Sequence, residues 1–464
     1  MAITKVLCTL ICFATHATAI WPIPASYTHG NSTLWIDQHV QIIMNGTSSP
    51  VGSLTYQNSF LNFFRSNTNA PDSQTYGSPS SPSNLIIEQA VERTKTTLFM
   101  HNFVPWKFHP RNAEFEPQHG SGCDVKTVTL TLTGPEDANI FKALAGQVEE
   151  SYTLTVTEYG IAEITASTAV GISHGLTTFT QLFYQHSSGG TYSTLAPVHI
   201  EDKPKFQHRG INMDVARNYF PLQDIKRQID AAAYVKMNRF HIHITDGQSW
   251  PLVITTMPEL SEKGAYRKDL VYTPGILGEL QWYGAVRGVQ VFLETDLPGH
   301  TSSIHYSHPE LIASFNKQPD WSTYAAEPPS GTLKLNSSAV DSFLETMFGD
   351  LLPRLKDFTS YYHTGGDEVN KNAYLNDDTV RSNDTAVLQP LMQKFIDRNH
   401  DQIRKAGFTP IVWQEMLLEW NLTLGKDVVV QTWMSNEALL ETVQKGHKGL
   451  VGNYNNWVCP VHAF

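Results

Sequence analysis

Asp367 and Glu368 stand side by side behind Gly365 and Gly366, where the run Phe358-Thr359-Ser360-Tyr361-Tyr362-His363 comes to an end. Paired carboxyl groups can deliver and recover a proton, and in a dry site they stabilise a developing positive charge. The aromatic run reads as a strand. Neighbouring strand residues point to opposite faces, so both acids serve one site only where the strand ends and the backbone turns. Glycines permit that turn and let a ligand approach closely. Alone, an Asp-Glu pair is more often a solvated loop, because carboxylates are rarely buried. Here it has company. Asp214 with Arg217, the stretch Thr245-Asp246-Gly247-Gln248-Ser249-Trp250, the stretch Asp296-Leu297-Pro298-Gly299-His300, Trp413-Gln414-Glu415 and Trp433 each close a predicted strand. Acids for proton transfer and hydroxyl binding, with indole faces to stack on a ring, are what a sugar pocket needs.

The elements carrying these strand ends alternate in type. Strands are predicted at 210–215, 240–245, 288–295, around Tyr361, and at 410–414, 428–432 and 449–454. Between them, Pro221 opens a helix with Leu222, Ile225, Ile229, Ala232 and Ala233 on one face, proline being favoured in a first turn. Residues 340–355 carry the strongest amphipathic pattern, and further helices are predicted at 388–405 and 436–445. This alternation over 204–464 predicts an α/β fold, a (β/α)8-type TIM barrel that lacks its last strand. In such a barrel functional groups gather at the C-terminal strand ends. Residues 20–203 read as a smaller α+β domain: Val128, Leu130 and Leu132, then Tyr152, Leu154 and Val156, alternate with threonines as half-buried strands do, and Ile172 to Phe183 recur at helical spacing. Its His101, His109 and His119 are expected at the surface, and the Ser/Asn/Pro-rich stretch 65–84 is expected as a long mobile loop or a processed linker.

Composition narrows the classes. A net charge of −11 and no basic run argue against nucleic acid as a partner. Lys5, the apolar run 6–14 and Ala17-Thr18-Ala19 form a secretory signal over 1–19, too short for a membrane span, and no later stretch could cross a bilayer. Secretion then makes the sequons at Asn31, Asn45, Asn336, Asn383 and Asn421 expected glycosylation sites in exposed loops. Cys8 and Cys12 leave with the signal; pairing of Cys123 with Cys459 stays open. A metal site from His241, His243 and Asp246 is weighed and set aside, because His241 and His243 share a face inside a filled barrel.

Four motifs, in order, resemble the β-N-acetylhexosaminidases of glycoside hydrolase family 20, most of all the secreted fungal type: Arg209-Gly210-Ile211-Asn212-Met213-Asp214-Val215-Ala216-Arg217, Phe240-His241-Ile242-His243-Ile244-Thr245-Asp246, Pro298-Gly299-His300 and the segment from His363 to Val369. The resemblance extends to the helix around Gly171-Ile172-Ser173-His174-Gly175 of the first domain. It implies removal of terminal N-acetyl-β-D-hexosamine from chitooligosaccharides or glycans, without metal or organic cofactor, by attack of the substrate's own acetamido oxygen. It implies Glu368 as general acid/base, Asp367 as the residue orienting the acetamido group, Arg209 as the arginine holding ring hydroxyls, Asp246 and His300 as supports of the acidic pair, and Trp413 and Trp433 as pocket walls. A homodimer is left open. The family's ending, a Trp-Tyr-Leu-Asp-like segment and an eighth strand, is replaced here by 455–464. That ending favours a competing reading, a non-catalytic sugar-binding remnant, and predicts a poorly stable, weakly active chain. An endo-acting chitinase is disfavoured, because no D-x-x-D-x-D-x-E run is present.

Overall fold

The computed structural model describes residues 20–45 and 81–453. The expected signal segment, Cys459 and most of the expected 65–84 loop lie outside the described residues. The end of that stretch is not loop: Pro82–Thr96 is a helix, with proline in its first turn and Ser81 accepting the Asn84 N–H. Strands β1 (Ser26–Met44), β2 (Cys123–Leu132), β3 (Tyr152–Val156), β4 (Ile161–Ala166), β5 (Tyr184–Gln185) and β6 (Thr191–Asp202) build a mixed sheet in the order β1-β2-β4-β3-β6-β5. The long β1 pairs with β6 along its first part and with β2 along its second. The threonine alternation of β3 places Tyr152, Leu154 and Val156 inward, as the sequence pattern predicts. The helices Pro82–Thr96 and Ala169–Gln181 share a core with these strands.

The second sheet consists of parallel strands β7 (Gly210–Asp214), β8 (Arg239–Thr245) and β9 (Gln290–Thr295), then, after the short ladder β10 (Ile312–Ala313) with β11 (Thr332–Leu333), β12 (Tyr361–His363), β13 (Thr409–Trp413), β14 (Val429–Thr432) and β15 (Lys448–Val451). They follow one another in chain order, and β7 and β15 are its edges among the described residues. Each predicted strand is present within two or three residues. The central strands β8, β9, β12, β13 and β14 are buried on both faces, so their side chains alternate between two environments. Phe240, Ile242, Ile244, Tyr362, Val412 and Val430 join the outer core beneath the helices. Phe292, Tyr361, Ile411 and Val429 instead form a separate inner layer, closed off by Leu144 of the first domain.

The helix Ser338–Leu355 shows how the outer layer is held. Ser337 accepts the Val340 N–H at its start, and eight apolar side chains from Val340 to Leu355 are buried. Each contributes roughly 1.5–3 kcal/mol of gross burial energy. The helix Pro274–Ala285, which the sequence reading did not predict, lies between both domains: Leu277 and Leu280 face the barrel core, Trp282 and Ala285 the first domain. His101, His109 and His119 are exposed, as are all five sequon asparagines, although Asn31 lies within β1 rather than in a loop. Among the described residues no helix is long and apolar enough to cross a membrane.

Candidate active site

Past His363, the β12 chain turns through left-handed backbone at Gly365 (φ 69°) and Gly366 (φ 102°), and again at Glu368 (φ 53°). The glycines have a second use here. A Cβ on Gly365 would fall 1.9 Å from Asp296 Oδ1, and the Gly366 N–H donates to that same oxygen at 2.8 Å. The close approach is therefore to a buried carboxyl group of the protein. Glu368 and His300 (φ 50°) are non-glycine residues in left-handed backbone, which costs about 1–3 kcal/mol each and clusters at functional sites.

His300 Nε2 faces the acidic pair, 3.5 Å from Glu368 Oε2 and 4.0 Å from Asp367 Oδ1. Its Nδ1 lies 3.2 Å from Asp246 Oδ1. Burial opposes charge on His300, but the surrounding carboxylates, Asp246 first and Asp367 with it, prevail and hold it well above the usual histidine range, as imidazolium. Asp246 is wholly buried and takes further partners in His243 Nε2 (2.7 Å), the Gly247 N–H (2.5 Å) and Arg217 Nη2 (3.0 Å). Against the cost of burial, the two imidazoles keep it well below the usual carboxylate range.

A second layer lies beneath. Strand register sets His243 and His363 each beside Glu294. His243 Nδ1 lies 2.9 Å from Glu294 Oε2, His241 Nε2 2.9 Å from that oxygen, and the Trp413 indole N–H donates to Glu294 Oε1 at 2.7 Å. His243 thus stands between two carboxylates and is held as a cation, despite burial. Glu294 is held well below its usual range by the imidazoles around it, although burial pushes the other way. His363 accepts the Gly365 N–H at Nδ1, and burial lowers it to about 3, so it is neutral. Burial, then the charge of Asp367, raises Asp296 well above the carboxylate range. Asp367 is itself raised, first by burial and then by Glu294 and Glu368, with His300 opposing. The pair is therefore arranged with the proton on Asp296 and the charge on Asp367. The sets His241, Glu294, His363 and His243, Glu294, Asp296 have donor atoms close enough together to enclose a cation. In this arrangement the three imidazoles turn to Glu294, and His241 faces Glu294 rather than Asp246.

Of the residues expected at the site, Asp367, Glu368, His300 and Asp246 come together, and Trp413 and Trp433 stand half-buried at the ends of β13 and β14. Arg209 does not join them. It precedes β7, at the opposite end of the strand, where it grips both oxygens of Glu150 (2.6 and 3.0 Å) and the Lys236 carbonyl, tying the first domain to the barrel. The arginine at the C-terminal end of β7 is Arg217, which pairs with Asp214 at 2.6 Å, with Asp246 and with Glu327. Arg209→Met should therefore lower stability by about 1.5–3 kcal/mol, the range for hydrogen bonds to charged groups, and leave KM unchanged. Arg217→Met should raise KM. Denaturant unfolding and steady-state kinetics of both variants check this, and the reverse pattern would return Arg209 to the site. Glu294, Asp296 and Glu327 were not assigned roles from the sequence. Glu294 shares a face of β9 with Phe292, so an acid at a barrel-interior position was its available signal, and Asp296 directly follows that strand. Glu327 lies on the long excursion between β9 and β12 and offers no such pattern.

Residues 206–458 match the family model described as glycosyl hydrolase family 20, catalytic domain, and residues 20–182 match one described as beta-acetyl hexosaminidase like. A beta-hexosaminidase of Arthroderma benhamiae is 39% identical over 96% of this chain and 76% of that protein. The human beta-hexosaminidase subunit beta is 32% identical over 78% of this chain and 62% of that protein. The chain is also similar in fold to the Flavobacterium johnsoniae chitobiase, with a TM-score of 0.69 and 23% identity, covering 97% of this chain and 63% of that one. It thus spans about three quarters of the fungal relative and less than two thirds of the other two.

Proposed function

The chain belongs to glycoside hydrolase family 20, and from that premise we propose that it hydrolyses terminal, non-reducing N-acetyl-β-D-hexosamine residues (GlcNAc or GalNAc) of chitooligosaccharides or glycans. The observation that carries the reading is the β12 turn, which sets Asp367 and Glu368 side by side against the imidazolium of His300. In the first step the substrate's acetamido oxygen attacks C1 and the glycosidic C1–O bond breaks as Glu368 gives its proton to the departing oxygen. The acetamido group becomes a cyclic oxazolinium cation. Asp367, ionised because Asp296 carries the local proton, accepts the acetamido N–H and stabilises that cation in a water-poor setting. Glu368 then takes a proton from the water that attacks C1, and the ring reopens to the acetamido sugar. His300, backed by Asp246, holds the orientation of both acids. Trp413 and Trp433 wall the acetamido group, and Arg217, in the place first expected of Arg209, meets the ring hydroxyls.

The N-terminal signal and the exposure of the five sequon asparagines support secretion as a glycoprotein, with chitin fragments as an accessible extracellular substrate. Release of the aryl group from aryl N-acetyl-β-glucosaminides and N-acetyl-β-galactosaminides by the purified chain tests the activity and ranks the two sugars. A thiazoline mimic of the cyclised intermediate should inhibit competitively and bind ~10²-fold or more tighter than GlcNAc, because a catalytic site is complementary to the high-energy species. Covalent labelling of an enzyme carboxylate by a fluoro-sugar would contradict the mechanism.

A further inference from the structure

We infer that Glu415 is a positioning residue of this site, fixing the Trp433 indole as one wall of the acetamido pocket; the inference rests on the reading of the pocket proposed above. Glu415 lies in the short helix Gln414–Leu418 directly after β13 and is buried, with 1% of its surface exposed. Its Oε1 accepts the Trp433 indole N–H at 2.9 Å. Next to it, Gln414 Oε1 accepts the backbone N–H of Trp433 at 2.9 Å and of Met434 at 3.2 Å. Successive side chains thus hold Trp433 by its backbone and by its ring.

The other oxygen, Glu415 Oε2, is buried with no hydrogen-bond partner among the described residues. An ionised carboxylate there would set a full charge against neutral donors alone, the Trp433 indole and its own backbone N–H, which costs far more than burying a neutral acid. The charged groups that face Glu415 press the same way: Asp367 from the β12 turn and Glu419 from its own chain segment are both acidic. Burial, then Asp367, pushes Glu415 up to about 8. The resident form is therefore the neutral acid, with its carbonyl oxygen toward the indole and its proton on Oε2. This differs from the companion wall, where Trp413 is held by ionised Glu294 between imidazoles. A neutral anchor fixes Trp433 without adding another anion beside Asp367, whose own proton affinity a further charge would raise.

Glu415→Gln is isosteric with the neutral acid and keeps the acceptor for the indole, whereas Glu415→Ala removes it. The glutamine variant should keep kcat/KM close to that of the unaltered chain, and the alanine variant should lose up to ~10²-fold, chiefly in kcat, through a displaced acetamido group. Independently of turnover, tryptophan emission of the unaltered chain should show a step near pH 8 as Glu415 ionises, absent from Glu415→Gln and from Trp433→Phe. A step that survives in Glu415→Gln, or an alanine variant with unaltered kinetics, would overturn the assignment. Loss of activity in both variants alike would also overturn it. The emission step in a chain that turns over no substrate would uphold the anchoring of Trp433 and overturn the proposed function instead.

Discussion

Glu368→Gln is expected to lower kcat by about 10²–10⁴-fold on an N-acetyl-β-hexosaminide with a poor leaving group, the range for loss of general acid–base catalysis. Glutamine keeps the size of the side chain and its place beside His300 Nε2, 3.5 Å from the present carboxylate. What it removes is the proton. On an aryl glycoside whose phenolate departs without protonation, the first step needs no acid, and the loss should shrink to what the second step demands of a base. Comparing the variant across a series of aryl leaving groups reads this directly. A loss of the same size on every leaving group would deny Glu368 the role of acid.

Asp367→Asn is expected to cost about 10²–10³-fold in kcat, as for other groups that stabilise transition-state charge in a dry site, and equally on good and poor leaving groups. Its target is the acetamido nitrogen, not the glycosidic oxygen. The structure adds a pH dependence. Asp367 acts as carboxylate, and burial with its acidic neighbours raises its proton affinity above that of an ordinary aspartate. Activity of the unaltered chain should fall as pH drops through that raised value, so the acid limb of the kcat/KM profile lies above the usual aspartate range. Asp296, next to it, is held well above the usual carboxylate range by burial and by the charge of Asp367, so the proton of the pair rests there. An acid limb at the ordinary aspartate value, or a leaving-group dependence matching that of Glu368→Gln, would contradict the division of labour between the two acids.

The central barrel strands were legible because strands buried on both faces read as short apolar runs, and the amphipathic helix Ser338–Leu355 because it has one solvent face. The helix Pro274–Ala285 was not. Packed between the barrel and the first domain, it is apolar on two sides, and no single stripe marks it. At the site, the Gly-Gly turn announced Asp367 and Glu368, and strand ends announced Asp246, His300 and the tryptophans. Arg209 was misplaced for a geometric reason. It enters β7 and Arg217 leaves it, and in a parallel barrel only the leaving end faces the pocket. The interior acids were hidden by the opposite effect: Glu294 sits in a strand that otherwise reads as plain core, and its charge is matched by His243 of the neighbouring strand, far away in sequence. Proton placement between Asp296 and Asp367 depends on burial and on facing charges, which no spacing in the sequence reports.

The central claim is that the substrate supplies its own nucleophile. It is tested most directly by kcat on one aryl β-glucosaminide carrying acetyl, fluoroacetyl, difluoroacetyl and trifluoroacetyl groups on nitrogen. Each fluorine withdraws electrons from the amide oxygen that must attack C1. The account predicts a steep, stepwise fall in kcat along the series at constant leaving group; turnover indifferent to fluorine would contradict it.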